Sequence, residues 1–181
     1  MLQPWKTLKS ERLVHDEWLN LRADTCQRED GLIIEPYYVI ESRDVVHAIP
    51  VLTDGRIVLV RQYRHATKMF GLEFPGGILD EGEEPLVGAR RELNEECGAI
   101  GGEWTEAATF YPNTARQTNR FHCFLGVEVE LNESAAFDPN EELEINLLSV
   151  EQIDQAIAEG SFHQGSHIAA FLMARPRLLT L

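Results

Sequence analysis

Gly77-Ile78-Leu79-Asp80-Glu81-Gly82-Glu83, seven further residues, then Arg91-Glu92-Leu93-Asn94-Glu95-Glu96-Cys97-Gly98-Ala99 is the stretch on which the reading of this chain turns. Pro85 to Cys97 predicts a helix, with Pro85 suited to its first turn and Gly98 to its carboxyl end. Leu86, Ala89, Leu93 and Cys97 share one face of it and belong in a core. Glu92, Glu95 and Glu96 lie on the adjacent face, spaced i, i+3 and i+4. Carboxylates that close repel one another, so the arrangement loses stability without a counter-ion. Hard divalent cations with oxygen ligands meet that need, and Mg²⁺ favours a few carboxylates, several waters and a substrate phosphate. Gly88, one turn before Glu92, leaves space beside the acidic face. Arg91 has two partners in reach: Glu95 at i+4, or Glu83 in the loop before the helix. Glu84 stands at the helix start, where Ser or Thr would cap better.

Working outward, Phe70 to Gly82 reads as loop, broken by Pro75-Gly76-Gly77 and Gly82. Upstream, Val45 to Leu52 and Arg56 to Arg64 predict strands joined across Thr53-Asp54-Gly55, and their continuous apolar runs suggest burial on both faces. Before them, Trp5 to His15, Leu19 to Arg28 and Leu32 to Glu41 predict shorter strands, with Asp30-Gly31 a hairpin signal. Downstream, Glu103 to Tyr111 and Asn119 to Glu130 predict strands, and Val150 to Glu159 and Ser166 to Arg175 predict closing helices. Strands, helix, strands, helices in that order point to an α+β or mixed α/β sandwich. Trp18, Tyr37 and Tyr38 in the β-rich start read as core rather than as a base-stacking platform.

Composition narrows the function classes. The chain of 181 residues has 44% hydrophobic and 25% charged residues, which is ordinary for a globular domain. Residues 1 to 12 lack the apolar middle of a signal peptide, and no apolar run is long enough to cross a bilayer. Cys26, Cys97 and Cys123 are odd in number and widely spaced, which argues against disulfides and structural zinc and for three buried thiols in a reducing cytoplasm. The net charge of −14 falls entirely in residues 71–181, since residues 1–70 hold ten Lys/Arg and ten Asp/Glu. Such a surface repels nucleic acid and anionic membranes but still binds phosphate when divalent cations bridge the two. Two clusters carry the excess: Glu73 to Glu96, and Glu128 to Glu144, the second reading as a solvated face.

The spacing from Gly77 to Ala99 resembles the Nudix box: Gly, five residues, Glu, seven residues, Arg-Glu, an aliphatic, any residue, Glu-Glu, any residue, Gly, an aliphatic. Ala99 is smaller than the usual Ile, Leu or Val. Leu59-Val60-Arg61-Gln62-Tyr63-Arg64 and Leu72-Glu73-Phe74-Pro75-Gly76-Gly77 resemble the ADP-ribose and nucleoside-diphosphate-sugar pyrophosphatase branch of that family. The resemblance implies an α/β/α sandwich with a mixed sheet over residues 44–181, preceded by a small antiparallel β subdomain over residues 1–43 that serves dimerisation and substrate. It implies Mg²⁺, with Mn²⁺ as a substitute, bound by Glu92, Glu96, Glu95 and the Gly77 carbonyl. Arg91 and Glu83 become the ion pair that braces loop against helix. Arg64, Arg43 and Arg116 become contacts to a small nucleoside diphosphate, while Arg61 reads as structural. The reaction implied is hydrolysis of a pyrophosphate bond to a nucleoside monophosphate and a sugar phosphate.

One departure stands out. After Pro112 the branch commonly carries a glycine and a catalytic glutamate, but Asn113 to Arg120 contains no acid, which makes Glu95 the first candidate for general base. The alternatives are a Nudix hydrolase of coenzyme A or a nucleoside triphosphate, and a Nudix-fold sensor that binds a nucleotide without cleaving it. A sensor would be expected to have lost box acids or gained a basic appendage, and this chain shows neither.

Overall fold

A computed structural model describes residues 2–132 and 142–181. The chain divides into two compact units, Met1–Arg43 with Tyr111–Arg120, and Asp44–Phe110 with Phe121–Leu181. Part of the second acidic cluster, including Glu133, Asp138 and Glu141, lies outside the described residues.

In the first unit, β1 (Lys6–His15), β2 (Asn20–Gln27) and β3 (Ile33–Glu41) form an antiparallel sheet in that order. Asp30-Gly31 makes the expected turn: Gly31 takes φ 86°, and the Arg28 N–H donates to the Leu32 carbonyl at 3.0 Å. Segment 111–120 is laced to β3, with the Ile40 N–H donating to Arg116 O at 2.7 Å and the Tyr37 hydroxyl to Ala115 O at 2.7 Å. The expectation that Trp18 and Tyr38 are core residues is overturned, since Trp18 is 87% exposed and Tyr38 is exposed as well. The reason is architectural: among the described residues this unit contains no helix, so its sheet has no second layer to bury large side chains.

The second unit is built on a six-stranded mixed sheet. Its strands are β4 (Val45–Leu52), β5 (Ile57–Arg64), β6 (Met69–Glu73), β7 (Ala99–Phe110), β8 (Phe121–Leu131) and β9 (Glu144–Leu148), in the order β6-β5-β4-β8-β7 with β9 paired to β5. β4 and β8 run parallel and the other pairs antiparallel. The side-chain period of two splits each central strand between two cores. Val46, Ala48, Val58, Val60 and Phe124 pack with Ala89, Leu93 and Cys97 of α1 (Pro85–Cys97). Ile49, Val51, Ile57, Leu59 and Leu125 pack with Ile153 of α2 (Val150–Glu159) and Ala170, Phe171 and Ala174 of α3 (Gly165–Leu178). Helices therefore cover both faces, as the continuous apolar runs of β4 and β5 require. Among the described residues no helix is long and apolar enough to cross a membrane. All three cysteines are buried and free, and burial pushes the Cys123 thiol up to about 12.

Three elements differ from expectation. Met69–Glu73 is a strand rather than loop, because β5 offers it a ladder that no local pattern announces. β9, within the acidic stretch, pairs with the other side of β5 for the same reason. Helix α3 continues past Arg175 to Leu178 with Pro176 inside it. Pro176 has no N–H to donate to the carbonyl one turn before it, so the last turn forgoes one helical hydrogen bond.

The α2/α3 core contains one polar island. The rings of His47 and His167 stack with centroids 4.0 Å apart and planes within 5°. Both residues are buried. Burial holds both imidazoles below their usual range, His47 well below it. The unfolded chain, with imidazoles near pH 6.5, thus binds protons that the folded chain refuses. Their contribution to stability is complete above about pH 6.5 and is lost as pH falls below it. The urea midpoint should fall between pH 7.5 and pH 5.5, above the window in which carboxylates titrate. A His47→Phe chain should show a shallower fall, and an unchanged slope in that variant would contradict the assignment.

Candidate active site

The acidic face of α1 is held against a loop rather than left open to solvent. Residues 74–84 are stitched by backbone bonds to β4 and to Asp44 just before it: Val46 N–H to Gly77 O at 2.9 Å, Ala48 N–H to Pro75 O at 2.8 Å, and Leu79 N–H to Asp44 O at 3.0 Å. Gly76 permits this approach, since a Cβ there would stand 2.0 Å from the Val46 carbonyl oxygen. On the other side the loop touches α1 itself. A Cβ on Gly77 would stand 2.6 Å from the carboxylate of Glu92, and the Gly76 N–H donates to Glu96 Oε2 at 3.3 Å. The space left by Gly88 is taken by the loop, because a Cβ there would meet Leu79 Cδ2 at 2.4 Å and Glu83 Oε2 at 2.9 Å.

Arg91 resolves the choice between its two expected partners by taking both. Its Nε and Nη2 donate to the two oxygens of Glu83, each at 2.9 Å, while Nη1 reaches Glu92 at 2.8 Å and Glu95 at 3.0 Å. The hydrogen bonds from Arg91, helped by the Asp80 N–H, bring Glu83 down to about 2, and donating to Glu83 and Glu92 raises Arg91. Glu84 begins the helix without a side-chain cap bond, as its identity suggested. Glu96 faces inward and is only 6% exposed, whereas the Glu95 side chain is about half exposed.

These residues supply hard oxygen donors of the kind a small divalent cation takes. Among the described residues, however, no three acidic, His or Cys groups converge as a metal site in this arrangement. The physical reason is that Arg91 already lies among Glu83, Glu92 and Glu95 as their cation. The Gly77 carbonyl accepts from Val46 N–H and keeps its second lone pair. The donor set fits a divalent ion in chemistry, provided Glu92 and Glu95 turn from Arg91 toward it.

The other expected residues divide between the two units. In the second unit Arg64 clamps Glu73 bidentately, Nε to Oε1 at 2.9 Å and Nη2 to Oε2 at 2.6 Å. Arg61 lies over the Phe70 ring and pairs with Glu144 at 3.2 Å, in keeping with a structural role. In the first unit Arg43 is exposed, while Arg116 donates to Tyr38 O at 3.3 Å and covers the Tyr37 ring at 5.2 Å. Sequence reasoning missed the partners of Glu73: His167 Nε2 stands 3.2 Å from its Oε2. It also missed His122, placed 3.1 Å from the Asp44 carboxylate and 3.1 Å from Thr109 Oγ1. Neither histidine belongs to a motif, so only the fold could bring them to their partners.

With this geometry established, comparison with known proteins places the chain. The family model for the NUDIX domain matches residues 41–171, and that for the nucleoside diphosphate sugar hydrolase N-terminal domain matches residues 5–40. The ADP-ribose pyrophosphatase of Bacillus subtilis (strain 168) is 27% identical over 147 residues, 81% of this chain and 79% of that protein. The methanol dehydrogenase activator of Bacillus methanolicus is 26% identical over 167 residues, 91% of this chain and 89% of that one. A crystal structure of an ADP compounds hydrolase superposes with a TM-score of 0.88 at 19% identity, covering 99% of this chain and 97% of its own, and so shares the fold.

The close fit at Gly88 gives a direct test. Alanine is intrinsically better than glycine in a helix by about 1 kcal/mol. Gly88→Ala should nonetheless lower the unfolding free energy by about 1–3 kcal/mol, because its Cβ overlaps Leu79 and Glu83. Urea denaturation measures the sign, and a stabilised variant would show that the loop does not depend on this contact.

Proposed function

The chain belongs to the Nudix family of hydrolases, and on that premise we propose that it cleaves the pyrophosphate bond of a nucleoside diphosphate sugar, such as ADP-ribose, in a Mg²⁺-dependent reaction. The observation that carries this reading is the packing of the Glu92 carboxylate against Gly77, with Glu96 turned inward beside it and Arg91 tying the loop to the helix. The match of residues 5–40 to the nucleoside diphosphate sugar hydrolases supports the substrate class, as does the likeness to an ADP-ribose pyrophosphatase.

In this reading Glu92, Glu96 and the Gly77 carbonyl would hold the metal, with Glu95 at its edge. A bound divalent ion supplies charge neutralisation of the diphosphate and a lowered pKa for water. Glu95, whose side chain is the more exposed, is the group proposed to take the proton from the attacking water, since residues 113–120 contain no acid. Water attacks one phosphorus in line, and the bond from that phosphorus to the bridging oxygen breaks. The products are a nucleoside monophosphate and a sugar phosphate. Arg91 and Glu83 keep loop and helix in register and so orient the acids. Arg64 is the proposed contact to the diphosphate, since a guanidinium matches phosphate geometry, and Arg43 and Arg116 are proposed as further substrate arginines.

A homodimer is proposed as well. β1 is exposed along its whole length, and Trp5, Leu8, Leu13 and Val14 present apolar surface on it or just before it. A second copy of the chain is the proposed cover. Three free buried cysteines agree with a reducing cytoplasm as the compartment.

The reading is tested by incubating the protein with Mg²⁺ and ADP-ribose, ADP-glucose, GDP-mannose, UDP-glucose, NADH, coenzyme A and the dNTPs, and separating products by ion exchange. A monophosphate released from a diphosphate sugar, and abolished by EDTA, is expected. Cleavage confined to triphosphates or coenzyme A would leave the family intact and refute the substrate class. Glu96→Gln keeps the size of the side chain and an acceptor for Gly76 N–H, so the fold should survive while kcat falls by about two orders of magnitude. A change under threefold would remove Glu96 from the metal site. Sedimentation equilibrium should give twice the chain mass, and a monomer at micromolar concentration would exclude the dimer.

A further inference from the structure

Glu73 is 1% exposed, so its charge must be satisfied within the protein. Burial by itself would push its carboxyl up, but hydrogen bonds from Arg64 and then from His167 bring it down to about 2. Arg64 supplies two of those bonds through Nε and Nη2. His167 Nε2, at 3.2 Å from Oε2, supplies the third.

The tautomer of His167 follows from geometry. The Phe74 backbone N–H donates to His167 Nδ1 at 3.1 Å, so that nitrogen carries the lone pair. In the neutral ring the proton then resides on Nε2, directed at Glu73. A charged ring would set Nδ1–H against the Phe74 N–H and stack a cation on His47 at 4.0 Å. His47 fixes the plane of the His167 ring, with Phe74 and Phe162 packed around it at 6.1 and 6.3 Å between centroids. His47 also belongs to β4, whose neighbouring residues Val46 and Ala48 bind the loop carbonyls of Gly77 and Pro75.

We propose that His167 is a positioning residue for the substrate arginine: it holds Glu73 with one N–H, and Glu73 in turn sets the plane and direction of the Arg64 guanidinium. A helix near the carboxyl end of the chain thereby tunes recognition of a phosphate group from outside the acidic motif. A bidentate clamp on one edge of a guanidinium leaves it little freedom to rotate, so a loosened Glu73 spreads the arginine over several rotamers. The proposal rests on the reading above that Arg64 meets the diphosphate.

Two measurements test it. Long-range ¹H–¹⁵N spectra of the full chain at pH 7.5 should show His167 neutral and protonated at Nε2. An Nδ1–H tautomer or an imidazolium would overturn the proposal, and this readout needs no substrate. Steady-state kinetics with ADP-ribose and Mg²⁺ form the second. His167→Phe keeps a ring on His47 and removes both polar atoms. It should raise KM about tenfold while kcat falls less than about threefold, as expected for a lost binding contact. His167→Gln, which keeps an amide donor, should recover part of that loss, and His167→Phe should add nothing to Arg64→Ala. A raised KM in Arg64→Ala beside an unchanged KM in His167→Phe would sink the positioning role alone. An unchanged KM in Arg64→Ala would sink the reading of Arg64 itself. Should His167→Phe fail to fold, His167→Gln and the ring tautomer decide the matter.

Discussion

The guanidinium of Arg91 is the constraint from which the rest of the site follows. It binds both oxygens of Glu83 and one oxygen each of Glu92 and Glu95, so a single cation neutralises carboxylates from both loop and helix. Without it the neighbouring acids would repel one another and the loop would lose its bidentate ion pair to α1. A lysine would not substitute, because a point charge cannot meet Glu83 in a fork while also reaching two helical neighbours. The same arrangement creates a competition. Any divalent ion drawn to Glu92 and Glu95 must take them from Arg91, while Arg91 keeps its stronger, bidentate bond to Glu83. Bracing the loop through Glu83 and neutralising Glu92 and Glu95 are therefore separable roles of one arginine.

That tie works because the loop has a rigid backing. β4 lies in the middle of the sheet, paired in parallel with β8 and buried on both faces. Its backbone bonds to Gly77 and Pro75, with that of the preceding Asp44 to Leu79, fix the loop from one side, as Arg91 and Glu96 fix it from the other. Three glycines admit the close contacts, each for a different neighbour: Val46 O at Gly76, Glu92 at Gly77, and Leu79 with Glu83 at Gly88. Close packing on both sides is what lets a loop behave with the precision of a regular element.

The second polar structure in this unit is of another kind. Glu73, His167 and His47 sit where hydrophobic packing would be expected, with the exposed Arg64 at their edge, and a buried ionised carboxylate is tolerated because Arg64 and His167 both donate to it. Two neutral imidazoles beside it avoid adding charge to the interior. Such an island is weak support for stability but strong support for a fixed geometry. Its position joins β4, β5 and β6 to α3, which lies about ninety residues further along the chain.

Much of this was legible from the residues alone. The spacing of Leu86, Ala89, Leu93 and Cys97 announced the helix and its core face, since helical periodicity is local and needs no partner to be read, and the resemblance of Gly77 to Ala99 to the Nudix box pointed to the family. The apolar runs of β4 and β5 likewise announced strands covered on both sides. What could not be read was everything decided by a neighbour distant in sequence. Met69–Glu73 and Glu144–Leu148 became strands because the two sides of β5 had ladders to complete. Trp18 stayed in solvent because its unit has no layer to cover it. His167 found Glu73 across 94 positions of chain because α3 packs on the sheet there. Periodicity, capping and turn chemistry are short-range properties and are written in the sequence. Which strand edge, ring or carboxylate a residue meets is a long-range property, and only the packed tertiary structure determines it.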